Sequence, residues 1–122
     1  MVGYDVVTRV GMAVSPSIYV DWVFLAPGTL APLGAAAAVA SLLRLNEDQA
    51  AKLLGAAAFL APLALFEAFA KGAPVKNTAM GWGNLIGIWG AKLCAAGLFG
   101  PPTGIEGNFG YAMATADTYD LG

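Results

Sequence analysis

Histidine is missing from all 122 residues of this chain. The one side chain whose unperturbed charge changes near neutral pH is therefore absent. With a single cysteine and scattered carboxylates, its absence also removes the usual zinc and non-haem iron ligand sets, so neither a metal nor a cofactor is expected. Cys94 alone excludes an internal disulfide, and its place in the mostly apolar run LIGIWGAKLCAAGLF reads as a small buried hydrophobe. Cations are few as well. Six lysines and arginines stand dispersed against eight acidic residues, a formal charge of −2, so a phosphate backbone meets no basic stripe and nucleic acid is not a partner. The opening MVGYDVVTRVG lacks the basic and apolar regions of a secretory signal, which makes the cytoplasm the expected location.

Charge of either sign accounts for 11% of the residues and apolar types for 58%. Ordinary soluble domains carry about 25% and about 45–50%. A chain of this length suits one domain and can bury roughly two thirds of its unfolded surface. It has too few polar side chains to clothe the rest, and monomers rarely leave large apolar patches open. Lipid, a second copy or the remainder of a larger protein is expected to cover them.

Along the chain, Val6, Val7, Val10 and Val14 share one face of a helix over 4–14, with Asp5 and Arg9 at i, i+4 on another. Ser15-Pro16-Ser17 ends it, and Ser17 is placed to cap a brief turn over 18–20. Pro27 and Pro32 around Gly28-Thr29 predict a bend, with a helix over 32–45 that starts near Gly28 or Thr29. Its small residues Gly34, Ala35, Ala38 and Ser41 admit a close neighbour. Asn46 and Gln49 have capping-box spacing, and Glu47 and Asp48 suit the positive end of the following helix. That helix runs to Pro62, where a kink or a new short helix ended by Gly72 and Pro74 is expected.

A further helix over 81–96 carries Gly83, Gly87 and Gly90 as a strip without side chains, and Trp82, Leu85, Trp89 and Leu93 as a bulky one. Gly97 stops it, Thr103 and Glu106 have N-cap and N3 spacing for one more turn, and residues 108–122 show no commitment. No alternating apolar and polar run stands between hairpin signals, so the class is all-α, a bundle of about four to six helices. Trp22 to Leu43 is uncharged for 22 residues, enough to span a bilayer. Pro27, Gly28 and Pro32 interrupt its first half, the run 53–66 is short and holds Pro62, and the connector RLNEDQAAK mixes both signs. A buried bundle is expected in preference to a membrane protein.

Taken in order, GYDVVTRVG, GTLAPLGAAAAVASLLRLNEDQAAKLLGAAA, Gly72-Ala73-Pro74-Val75-Lys76, Gly81-Trp82-Gly83 and a closing GLFGP…EGNFG resemble the helical domain of the MmgE/PrpD family. That family includes 2-methylcitrate dehydratases, cis-aconitate decarboxylases and iminodisuccinate epimerases. The resemblance implies that residues 1–122 are a partial helical domain, a middle slice of a larger one. Family members are longer, carry a second α+β domain and are generally dimers, so absent helices and a partner subunit become the candidates for covering the apolar surface.

The resemblance also supplies site positions. A family histidine thought to act in proton transfer falls at Leu25 when aligned on Gly34-Ala35-Ala36, and a second falls at Ala79 when aligned on Gly81. Neither residue moves a proton. The family lysine is matched by Lys76, the candidate catalytic residue, whose ammonium suits a substrate carboxylate as a point charge. A solvated loop lysine is the plainer reading. Thr29 matches a small polar position and is the second candidate for substrate binding, with a helix cap as its plainer reading. Glu106 reads as a capping carboxylate, and Asp21, Glu67, Asp117 and Asp120 lack the spaced partner of a paired-carboxylate site.

The leading expectation is a fragment or truncated member of a lyase and isomerase family acting on small polycarboxylates, 2-methylcitrate dehydratase-like. It should be inactive alone, because general acid–base catalysis needs a titrating group within reach of the proton. The alternatives are a noncatalytic helical module that associates with itself or with the remainder of the enzyme, and a small multi-span membrane protein.

Overall fold

In the computed structural model, residues 1–20 and 24–122 are described, and of Tyr19 and Val20 only the backbone. Asp21 and the first two residues of the uncharged run, Trp22 and Val23, lie outside the described residues. The elements in order are α1 (Val2–Val14), α2 (Ser17–Val20), α3 (Ala26–Leu42), α4 (Glu47–Leu60), α5 (Glu67–Ala70), a 3-10 turn (Pro74–Thr78), α6 (Ala79–Ala95) and α7 (Tyr111–Thr115). Among the described residues there is no strand, only one isolated antiparallel bridge between Phe24 and Leu65. The all-α bundle read from the sequence is the fold.

Helix α3 is central and packs against α1, α4 and α6. Its closest neighbour is α6, and the reason is steric. A Cβ added at Gly87 would lie 2.5 Å from both the Ala35 Cβ and the Pro32 carbonyl oxygen, and one at Gly83 would lie 2.7 Å from the Ala31 Cβ. The two backbones approach because neither glycine has a side chain. Around this seam Val14, Ile18, Leu33 and Leu53 are fully buried and form the core with Val10, Phe24 and Tyr111.

The start of α3 corrects the sequence reading. A helix was expected from Pro32, but it begins six residues earlier, at Ala26. Pro27 stands in the first turn, where a missing N–H has no intrahelical partner in any case. Pro32 stays inside the helix and deletes the bond to the Gly28 carbonyl, which instead faces the bare backbone of Gly83 on α6. Thr29 is therefore within the helix and not its cap, a place held by Leu25.

The far end of α3 also differs. It stops at Leu42 because Arg44 takes φ +51, with its amide donating to Ser41 O at 3.2 Å and the Leu45 amide to Ala40 O at 3.0 Å. This is the Schellman arrangement, with arginine where glycine is usual. Left-handed backbone costs a residue with a Cβ about 1 kcal/mol.

Helix α4 begins as its capping box predicts: Gln49 N donates to Asn46 Oδ1 at 2.9 Å and Asn46 N to Gln49 Oε1 at 3.1 Å. After α4 the chain runs irregularly and then forms the new short helix α5, stopped by Gly72 at φ +65. Gly97, at φ +85, closes α6 as expected. The ion pair Arg9–Asp5, 3.1 Å, forms on the exposed side of α1, where such a pair is worth at most about 0.5 kcal/mol.

The further turn expected at Thr103 forms, within successive turns over 102–109, with the Gly107 amide bonded to the Thr103 carbonyl at 2.8 Å. Two further readings need correction. The uncommitted tail forms α7, because Tyr111, Ala112 and Thr115 are drawn into the core. Cys94 is only half buried; desolvation still pushes its thiol above the ordinary range, opposed by a backbone hydrogen bond from Gly100.

The chain exposes 7259 Å². A compact monomer of 12.4 kDa is expected to expose about 6,100 Å². The surplus is largely apolar: Phe59 is 85% exposed, Trp82 57%, Trp89 52% and Phe109 99%. Among the described residues no helix is long and apolar enough to cross a membrane.

Candidate functional site

Three segments distant in sequence meet at the N-terminal end of α3. The first is Leu25 to Thr29, the second the irregular strip over 61–65 after α4, and the third the 3-10 turn running into α6. Their junction is clamped by backbone and by one hydroxyl. The Leu25 amide donates to Ala64 O at 2.6 Å. Thr29 Oγ1 donates to Pro62 O at 3.0 Å and accepts from the Ala64 amide at 3.4 Å. Gly28 completes the contact, since a Cβ there would lie 2.7 Å from the Ala64 Cβ and 3.0 Å from the Ala79 Cβ.

The clamp leaves a cleft of about 250 Å³, whose lining includes Leu25, Leu63, Leu65, Lys76, Ala79 and Trp82. Leu25, Lys76 and Ala79 thus share one wall system although the first is 51 residues from the second. Lys76 is half buried, and its Nζ lies over the Phe69 ring, 4.9 Å from the centroid, a cation–π contact that seats the ammonium. Among the described residues it has no carboxylate partner. The positive end of the α3 dipole lies at Leu25, which offers no side-chain cap, and it adds to the attraction for an anion.

Thr29, the other candidate for binding substrate, does not line this cleft. It is buried, and its hydroxyl is engaged with Pro62 and Ala64; it borders a neighbouring hollow of about 310 Å³ with Tyr111 and Thr115. The Tyr111 hydroxyl is buried there without a hydrogen-bond partner among the described residues, and desolvation pushes its ionisation well above the ordinary tyrosine range. Glu67, Glu106, Asp117 and Asp120 do not line the lysine cleft. Among the described residues no group of three or more acidic, cysteine or histidine side chains is placed to hold a metal ion. Sequence reasoning missed the apolar walls Leu63, Leu65 and Val75, which stand at no regular spacing. Trp82, between two glycines, was the one wall residue with a visible signal.

Glycine-seamed helices and a cleft at the head of the central one, with Lys76 on its lining, define an all-α domain. Residues 1–122 match the MmgE/PrpD N-terminal domain. The chain belongs to the MmgE/PrpD family. No curated protein matches it at a significant level.

Proposed function

We propose that this chain is part of the helical domain of an MmgE/PrpD-type lyase or isomerase, and that on its own it holds a small carboxylic acid at the Lys76 cleft without turning it over. The observation that carries the reading is the convergence of Leu25, Lys76 and Ala79 on one cleft. These are the positions at which the family resemblance puts two histidines and a lysine. The cation that binds is retained while both proton-transfer positions are aliphatic. Binding and positioning survive that loss; removal of a proton from a substrate carbon does not. Polycarboxylates of the 2-methylcitrate type are the substrates the family suggests, and the cytoplasm the location.

The test is turnover of 2-methylcitrate and cis-aconitate by the purified chain and by its Lys76→Ala variant. No turnover by either is the expected result. Clear turnover that Lys76→Ala abolishes would overturn the reading.

The exposed apolar surface supports a second role that is compatible with the first: association with a second copy or with the remainder of the enzyme. The surplus of roughly 1,000 Å² resembles one partner's share of a standard interface, about 800 Å². Co-purification of a second polypeptide, or a dimer in sedimentation, is expected. A clean monomer with a cooperative thermal transition would count against it.

A further inference from the structure

We infer that Phe69 is the positioning residue of the Lys76 cleft: the face of its ring holds the ammonium, so that an incoming carboxylate meets a cation already in place. The role rests on the reading of this cleft as a carboxylate site.

Lysine left to itself is a poor anchor. Its ammonium rides on a flexible four-carbon stem, and fixing that stem when a ligand arrives costs entropy that subtracts from affinity. Here the ordering is in place beforehand. Lys76 Nζ stands over the Phe69 ring, 4.9 Å from its centroid, inside the roughly 6 Å over which a ring face attracts a cation.

The ring is held in turn. Phe66 lies 5.1 Å from it, centroid to centroid, with the planes inclined at 41°. That is a tilted pairing of the favourable kind. Both residues belong to the single turn of α5, where the Phe69 and Ala70 amides donate to Phe66 O at 2.9 Å. The lysine's own backbone is tied to the same turn: the Lys76 amide donates to Ala73 O at 3.1 Å and the Ala73 amide to Ala68 O at 2.9 Å, while Thr78 Oγ1 bonds Val75 O at 2.7 Å. Ring and stem are thus parts of one hydrogen-bonded segment over 66–78.

The other wall of the cleft comes from Leu25 and from 62–65. Phe69 itself is not on the lining, so it acts on a ligand through Lys76. Lys52, which also stands over a ring, that of Phe99, is paired with Asp48 at 2.7 Å as well. Phe69 is 49% exposed, so the contact is partly wet and its loss should weaken binding by roughly two- to fivefold.

The experiment is titration of the full chain with tricarballylate, a probe with three carboxylates, followed by amide chemical shifts. It compares phenylalanine at position 69 with a ring-fluorinated phenylalanine, which keeps the shape and removes the negative face, and with Phe69→Leu and Phe69→Tyr. The fluorinated ring and leucine should each weaken binding roughly two- to fivefold, and tyrosine should restore it. Without ligand, the proton signals of the Lys76 ε-methylene should lie upfield under the native ring and return to the ordinary lysine position in Phe69→Leu. Circular dichroism checks that each variant keeps the fold. Equal affinity with the native and the fluorinated ring, with binding still lost in Lys76→Met, would overturn the role of Phe69 while leaving the carboxylate site standing. No Lys76-dependent binding of tricarballylate at millimolar concentration would sink both readings.

Discussion

Helix α6 has two apolar faces with opposite fates. One, carried by Gly83, Gly87 and Gly90, is buried against α3 and α4; the other, carried by Trp82, Leu85 and Trp89, remains exposed. Hydropathy would bury the tryptophans first. Within this chain the reverse occurs, because the seam with α3 is decided by how near two backbones can come, and glycine permits the nearest approach. The larger side chains are left exposed.

Filling the buried face is expected to have the largest effect. Gly87→Ala puts a methyl 2.5 Å from Pro32 O and the Ala35 Cβ, and should cost about 2–3 kcal/mol in urea denaturation. A cost below about 0.5 kcal/mol would show that the seam is looser than described. Next comes the clamp that sets the cleft against that seam. Thr29→Val removes the bond to Pro62 O, which keeps the Ala64 amide as its donor, for about 1 kcal/mol by the same measurement.

Among the described residues the Tyr111 hydroxyl is the one buried side-chain polar atom without a hydrogen-bond partner, and pH exposes it. Because burial raises the ionisation of Tyr111, its contribution is present in full below the unfolded tyrosine value near pH 10. Above that value the unfolded chain releases the proton while the folded one keeps it. Stability should then fall by up to about 1.4 kcal/mol per pH unit. Tyr111→Phe should lack that part of the alkaline decline and be near neutral in effect at pH 7, since it deletes a hydroxyl with no partner. Thermal melts of both proteins between pH 8 and about pH 12 compare the two. The smallest effect on stability belongs to the open face: Trp89→Lys should change denaturation by less than about 0.5 kcal/mol while reducing self-association in sedimentation. A large loss of stability there would erase the contrast between the two faces.

How much of this could be read from the sequence varies with the range of the forces involved. The head of α4 was legible because a capping box is a local arrangement, complete within Asn46 to Gln49. The glycine strip of α6 was legible because its spacing is helical. The first turns of α3 were not, since Pro27 and Pro32 read as a bend unless packing from α6 and the 62–64 strip is known. Arg44 hid the end of α3 by taking a backbone conformation that glycine would have advertised. Helix α7 is five residues long and exists through burial of Tyr111 and Thr115, which no local preference foretells. In the cleft, Lys76, Leu25 and Ala79 were singled out only through the family resemblance; their proximity is a tertiary fact.

Pro32 also governs how the molecule breathes. With one rung missing from its ladder, the opening of α3 is held mainly from outside, by Leu25 to Ala64 and Thr29 to Pro62. Amide hydrogens over 28–31 should therefore trade with deuterated solvent in step with Ala64, and sooner than those over 33–42. The floor of the cleft would then open as a unit separate from the rest of the helix that supports it.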